Sequence, residues 1–155
     1  MFVNLKEKQP MNENDQKCIA VLCVDHRMHK STSDFRAKLE EALGTDNIYT
    51  ICYPGADKLI TETCEYAKEG LSAISHIVEQ TKNVLTEHGH EHVLKVVVAH
   101  ATCAGYPVSD KEHIASVRKL ADHLTETLDL DVGFTPFMAY KVDSNDDLRW
   151  VVEKA

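Results

Sequence analysis

No stretch of this 155-residue chain is apolar for anything near the ~20 residues that cross a bilayer, so no transmembrane helix is expected. The opening segment, MFVNLKEKQPMNENDQK, lacks the apolar stretch of a secretory signal, and a cytoplasmic location is expected. Basic residues are too few for a nucleic-acid groove. Seventeen Lys and Arg stand against 25 Asp and Glu, and no basic cluster is interleaved with aromatics. The net charge of −8 also suits an anionic membrane surface poorly. Cysteines number only five, at positions 18, 23, 52, 64 and 103. An odd count spread over a chain this long argues against a disulfide framework and leaves thiols free to bind metal. No glycine-rich phosphate loop follows the first apolar run, which weighs against nucleotide binding. Repeats, low-complexity tracts and linkers are missing too, so one domain is expected.

What remains is a globular composition, with 43% apolar and 27% charged residues, able to bury a real core. Residues 1–17 are mostly polar and read as an N-terminal arm, whose Met1–Leu5 start is apolar enough to dock on a second subunit. Residues 18–155 read as one α/β domain. Cys18–Val24 is a short, β-branched apolar run, the signature of a strand buried on both faces. Ser33 is placed to cap a helix carrying Phe35, Leu39, Ala42 and Leu43, and Gly44 suits its end. Asn47–Cys52 is a second strand, followed by a turn over Tyr53–Ala56. From Asp57 to Glu87 apolar residues fall at helical spacing, with Gly70 positioned to kink or split the helix. His92–Ala99 is a third strand. Ser109 and Glu112 form a capping box ahead of a helix with Ile114, Val117, Leu120, Ala121, Leu124 and Leu128 on one face. Val132–Val142 is a fourth strand, and Leu148–Val152 a short closing segment.

Alternating strands and helices imply a mostly parallel sheet of four to five strands flanked by helices. In such sheets reactive groups gather beyond the C-terminal strand ends. That rule selects Cys23–Arg27 after the first strand and His100–Cys103 after the third. Cys23 and Cys103 offer thiolates, and His100 offers an imidazole nitrogen. A Cys2His set is a catalytic zinc arrangement, because three protein ligands leave a fourth position open. Soft thiolates favour zinc over magnesium or calcium. If the chain stays extended past Cys23, Asp25 and Arg27 point the same way as the cysteine. Asp25 then reaches the metal or a water on it, and Arg27 clamps Asp25 through paired hydrogen bonds. Singly, each residue has a plainer reading: Cys23 as an apolar filler, Asp25 as a helix cap, Arg27 as a solvated charge. Their coincidence at two clustered strand ends favours the site.

The pair Cys23-Val-Asp25-His-Arg27 and His100-Ala-Thr-Cys103 resembles the β-class carbonic anhydrases, which carry Cys-x-Asp-Ser-Arg and His-x-x-Cys-Gly after corresponding strands. Cys52-Tyr-Pro-Gly55 stands where that family has Arg-Asn-Ala-Gly, and Gly133–Asp143 resembles its late strand. The likeness covers most of the chain from Cys18 onward. It implies a zinc lyase that hydrates carbon dioxide to bicarbonate through zinc-bound hydroxide, with Cys23, His100 and Cys103 as ligands. Asp25 would orient the hydroxide or swing in as a fourth ligand, and Arg27 would hold Asp25 back. A homodimer or higher homo-oligomer is implied as well. The chain departs from the family at His26, Cys52, Tyr53 and Ala104, and in an added helix near 33–43.

Around the site, His26 is a candidate proton shuttle and Tyr106 a candidate pocket wall, whereas His29 reads as a surface residue. Cys52 could line the pocket or offer a competing thiolate; Cys18 and Cys64 read as core. His88, His90 and His92 alternate ahead of a strand, where a second metal site is one reading and a solvated loop the other. Two rival functions keep the same site: hydrolysis of carbonyl sulfide or carbon disulfide, and a non-catalytic zinc-binding or regulatory module.

Overall fold

A computed structural model describes residues 16–61, 64–90, 92–130 and 132–155, apart from the His26 side chain. Residues 1–15 of the expected arm therefore lie outside the described residues. The strands are β1 (Lys17–Leu22), β2 (Asn47–Cys52), β3 (Leu94–His100), β4 (Thr135–Lys141) and β5 (Trp150–Lys154). The helices are α1 (His26–His29), α2 (Phe35–Leu43), α3 (Ala67–Glu87) and α4 (Asp110–Thr127), with a 3-10 helix at Ala56–Ile60.

The sheet order is β2-β1-β3-β4-β5. The first four strands are parallel, and β5 returns antiparallel to β4. The continuous apolar runs have the expected cause, since β1 and β3 are covered on both faces. Cys18, Ala20, Leu22, Val96 and Val98 pack with Met28, Phe35, Leu39 and Trp150 on one side. Ile19, Val21, Val97 and Ala99 pack against residues of α3 and α4 on the other. Cys18 and Cys64 are buried, as core cysteines should be.

The order of strands fixes the place of chemistry. From β1 the chain moves outward to β2, then crosses back to β3 on the opposite side of β1. The carboxyl ends of β1 and β3 are thus adjacent while their connections leave in opposite directions, which opens a crevice between the following loops.

Three local readings differ from the sequence expectation. Asp57 does not begin a long helix: Ala56–Ile60 is 3-10, and the α-helix starts only at Ala67. Gly70 neither kinks nor splits α3. A Cβ added there would lie 2.6 Å from Leu59 Cδ2 and 3.0 Å from the Tyr53 ring, so the missing side chain lets α3 approach the 3-10 helix. Finally, the Ser33 hydroxyl accepts from the Phe35 amide, but Asp34 holds the N-cap position and spends its carboxylate on the Trp150 amide. The Ser109–Glu112 capping box and the left-handed Gly44 at the end of α2 are present as read.

A Gly70→Ala variant is expected to be destabilised. Alanine gains about 1 kcal/mol of helix propensity, whereas overpacking costs typically 1–3, about 2 kcal/mol here. The thermal unfolding midpoint should fall by a few degrees, and a rise would show that Leu59 gives way freely.

Candidate metal centre

Strand β1 ends at Leu22, one residue before the buried Cys23. The chain does not stay extended. Asp25 caps the single-turn α1, and its carboxylate accepts a hydrogen bond from the Arg27 amide at 2.9 Å. The Arg27 side chain folds back onto the same carboxylate. Its Nε donates to Oδ1 and Oδ2 at 2.9 and 3.1 Å, and Nη2 donates to Oδ2 at 2.5 Å. The expected clamp is therefore present, but a cap turn makes it rather than strand alternation. Asp25 is a cap and an ion-pair partner at once.

Arg27 also reaches the other loop. Nη2 donates to the Thr102 carbonyl at 2.7 Å and Nη1 to its hydroxyl at 3.2 Å. Nη1 stands 3.6 Å from Asp147 Oδ1 as well. Thr102 has φ +56, a conformation rare for a β-branched residue. The strained residue sits between His100 and Cys103 and turns its carbonyl to the guanidinium, as site residues held by their surroundings do.

His100 is the last residue of β3 and is 1% exposed. Its Nδ1 donates to the Ala101 carbonyl at 2.9 Å, which leaves the lone pair on Nε2. That Nε2 is buried and has no hydrogen-bond partner. Facing it, the Cys23 and Cys103 sulfurs are 3.7 Å apart. Two thiolates bound at about 2.3 Å in a tetrahedron stand about 3.8 Å apart. The three donor atoms all lie within 4.8 Å of one another. Donor chemistry, spacing and the orphaned nitrogen all fit a metal ion of the zinc type. Among the described residues no other group of donors closes this tightly.

The turn after β2 completes the enclosure. Gly55 adopts φ +55 and donates its amide to Cys23 Sγ at 3.3 Å. A Cβ on Gly55 would stand 3.1 Å from the Gly105 carbonyl oxygen, so the two turns meet backbone to backbone. The resulting cleft of about 270 Å³ is lined by Cys23, Val24, Asp25, Arg27, Pro54 and Cys103, among others.

The electrostatics prepare the site for a cation. The hydrogen bond from Cys103 pulls the Cys23 thiol well below the ordinary thiol range, against burial, with help from the Gly55 amide. The same bond, and then burial, pushes Cys103 up. Thiols bind metal as thiolates, so an ion held here would displace their protons. Burial pushes the Asp25 carboxyl up, but the hydrogen bonds from Arg27, with its charge behind them, outweigh it and hold the carboxyl at about 2. Asp25 Oδ2 is 3.8 Å from His100 Nε2, at the edge of the donor set.

Cys23, Asp25, Arg27, His100 and Cys103 are thus brought together, and other residues singled out in the sequence are not. The His26 side chain lies outside the described residues. Tyr106 turns away from the cleft: its hydroxyl meets Ser116 at 3.1 Å, and its ring packs edge-on against His113. Cys52 is exposed and stands 3.9 Å from His29 Nε2, which also meets the Cys23 carbonyl at 3.0 Å. Cys52 is the first cause of the upward shift of His29 to about 9. Tyr53 packs against Tyr66 and the core. His88, His90 and His92 form no metal-binding cluster among the described residues.

One pair escaped the sequence reading. His113 and Asp57, both buried, meet at 2.6 Å directly behind the centre. The His113 ring stacks on His100 with centroids 6.5 Å apart. Its position at helical spacing from Val117, Leu120 and Leu124 was the signal available, since that spacing puts it on the buried stripe.

A family model described as "Putative carbonic anhydrase" matches residues 13–135, a span that holds all five residues of the centre. No curated protein and no solved structure matches the chain.

Proposed function

The chain belongs to the carbonic anhydrase-like family that this model describes, and from that premise we propose that it is a zinc-dependent enzyme that reversibly hydrates carbon dioxide to bicarbonate. The observation that carries the reading is the buried, unpartnered His100 Nε2 facing two thiols 3.7 Å apart, beside a carboxylate held by arginine.

Cys23, His100 and Cys103 would hold zinc, which supplies Lewis acidity enough to bring the pKa of a water to about 7. Everything else falls to the chain. Asp25 accepts a hydrogen bond from the attacking water and turns an oxygen lone pair toward the carbon of the substrate. It stays ionised because Arg27 donates to both of its oxygens. The same clamp draws the carboxylate toward α1 and so would leave room for a water beside the three donors. Val24 and Pro54 give the cleft an apolar wall suited to a small, uncharged, linear substrate. His26, on α1, is the proposed carrier of the released proton to solvent. The active form is proposed to be a homodimer, because β2 leaves a sheet edge with Tyr49 43% exposed.

The apolar wall also favours a second reading, hydrolysis of carbonyl sulfide or carbon disulfide, which are linear and similarly electrophilic. Hydration rate and sulfide release measured on one zinc-replete preparation separate the two. Rapid hydration with negligible sulfide release is expected; the opposite balance would assign the sulfur substrates. Zinc-replete protein inactive on all three substrates would leave the non-catalytic module.

A further inference from the structure

Lys95 carries the one ammonium in the β3 run Leu94–His100. It lies two residues before Val97 and so points to the same face, toward α3 and α4. Only 8% of it is exposed. Its Nζ donates to the Val93 carbonyl at 2.8 Å. An ammonium has three N–H donors, and among the described residues no second acceptor and no carboxylate meets this one. Burial, and then the positive charge of Lys82 on α3, push the Lys95 ammonium down from its ordinary value. A buried cation that shares a cavity with another cation is unfavourable until a negative charge joins them.

Space for that charge exists. A cavity of about 480 Å³ is lined by Lys82, Thr86, His92, Lys95 and Asp129, among others. Asp129 is the one described carboxylate in this lining, and it makes no ion pair with either lysine. The cavity lies at the opposite end of β3 from His100. Five residues at a strand rise of ~3.3 Å put Lys95 about 17 Å from the metal centre.

We propose that this cavity binds a small oxyanion of the phosphate or carboxylate class between Lys95 and Lys82. The site is independent of the reaction assigned to the metal centre.

The test is a titration of full-length, zinc-loaded, nitrogen-15-labelled protein with sodium phosphate, and separately with sodium acetate, at constant ionic strength. Saturable amide shifts at Lys82, Thr86, Lys95 and Asp129 are expected. Affinity should fall by about tenfold or more in Lys95→Met and in Lys82→Met. Tighter binding of phosphate would assign a multiply charged guest, and tighter binding of acetate a carboxylate. Lys82 is half-buried on a helix, so its variant carries the test even if Lys95→Met does not fold. Non-saturating shifts, shifts confined to the Cys103–Gly105 turn, or unchanged affinity in Lys82→Met would overturn the proposal.

Discussion

A Cys103→Ala variant is expected to purify folded and without stoichiometric zinc. Cys103 is 2% exposed, and its sulfur is one of three donors that converge at the centre. Its removal leaves two donors and relieves Cys23 of the hydrogen bond that holds its thiol low. Loss of a single buried atom is small beside the ~5–15 kcal/mol that holds a domain folded, so the sheet should survive. Zinc at a hundredfold excess over its Kd stabilises a binding-competent fold by about 2.7 kcal/mol. Wild type should therefore melt higher with zinc, and the variant should not. Cys64→Ala is the control, because Cys64 is also buried but belongs to the core packing. Full zinc occupancy in Cys103→Ala would refute the ligand assignment.

Asp25→Ala is expected to keep zinc and lose turnover. The carboxylate is not one of the three convergent donors, so the metal should stay. Arg27 retains its bonds to the Thr102 carbonyl and hydroxyl, which continue to bridge the two loops. Loss of the helix cap costs ~0.5–2 kcal/mol. Asp25→Asn keeps a capping oxygen and separates that cost from the chemistry. In both variants kcat/KM for hydration should fall by about 100-fold or more, the scale of loss when a reacting group is no longer held in its productive orientation. The pH dependence checks the role independently. The folded-state pKa of Asp25 lies at about 2, below its ordinary 3.8. Its contribution to stability is therefore complete above about 4 and is lost as pH falls through about 2. Asp25 accordingly cannot produce a rate change near neutrality. Any rise in rate around pH 7 should persist in the residual activity of Asp25→Asn. Unchanged turnover in Asp25→Ala would remove the orienting role.

The sheet and the two ligand loops were legible because parallel strands covered on both faces must be continuously apolar, and β1 and β3 are. Where those runs end, the strand-end rule located Cys23 and His100 without knowledge of contacts. The direction of β5 was not legible, since an apolar pattern carries no polarity of its own. Nor was α1, whose single turn is too short to show a period and exists through the Asp25 cap. The break between the 3-10 helix and α3 was masked by apolar residues that keep helical spacing across it. Gly70 looked like a defect because sequence shows a missing side chain but not the Leu59 methyls that occupy its place. Asp57, His113 and Lys95 were missed for a common reason: burial of a polar group depends on a partner or a cavity that only the folded chain supplies.

X-ray absorption at the metal of the zinc-loaded protein tests the central claim most directly. Two sulfur scatterers at about 2.3 Å and one imidazole nitrogen at about 2.0 Å are predicted, with the remaining position filled by a lighter atom. A shell of oxygen and nitrogen alone, or a protein that takes up no zinc, would contradict the account.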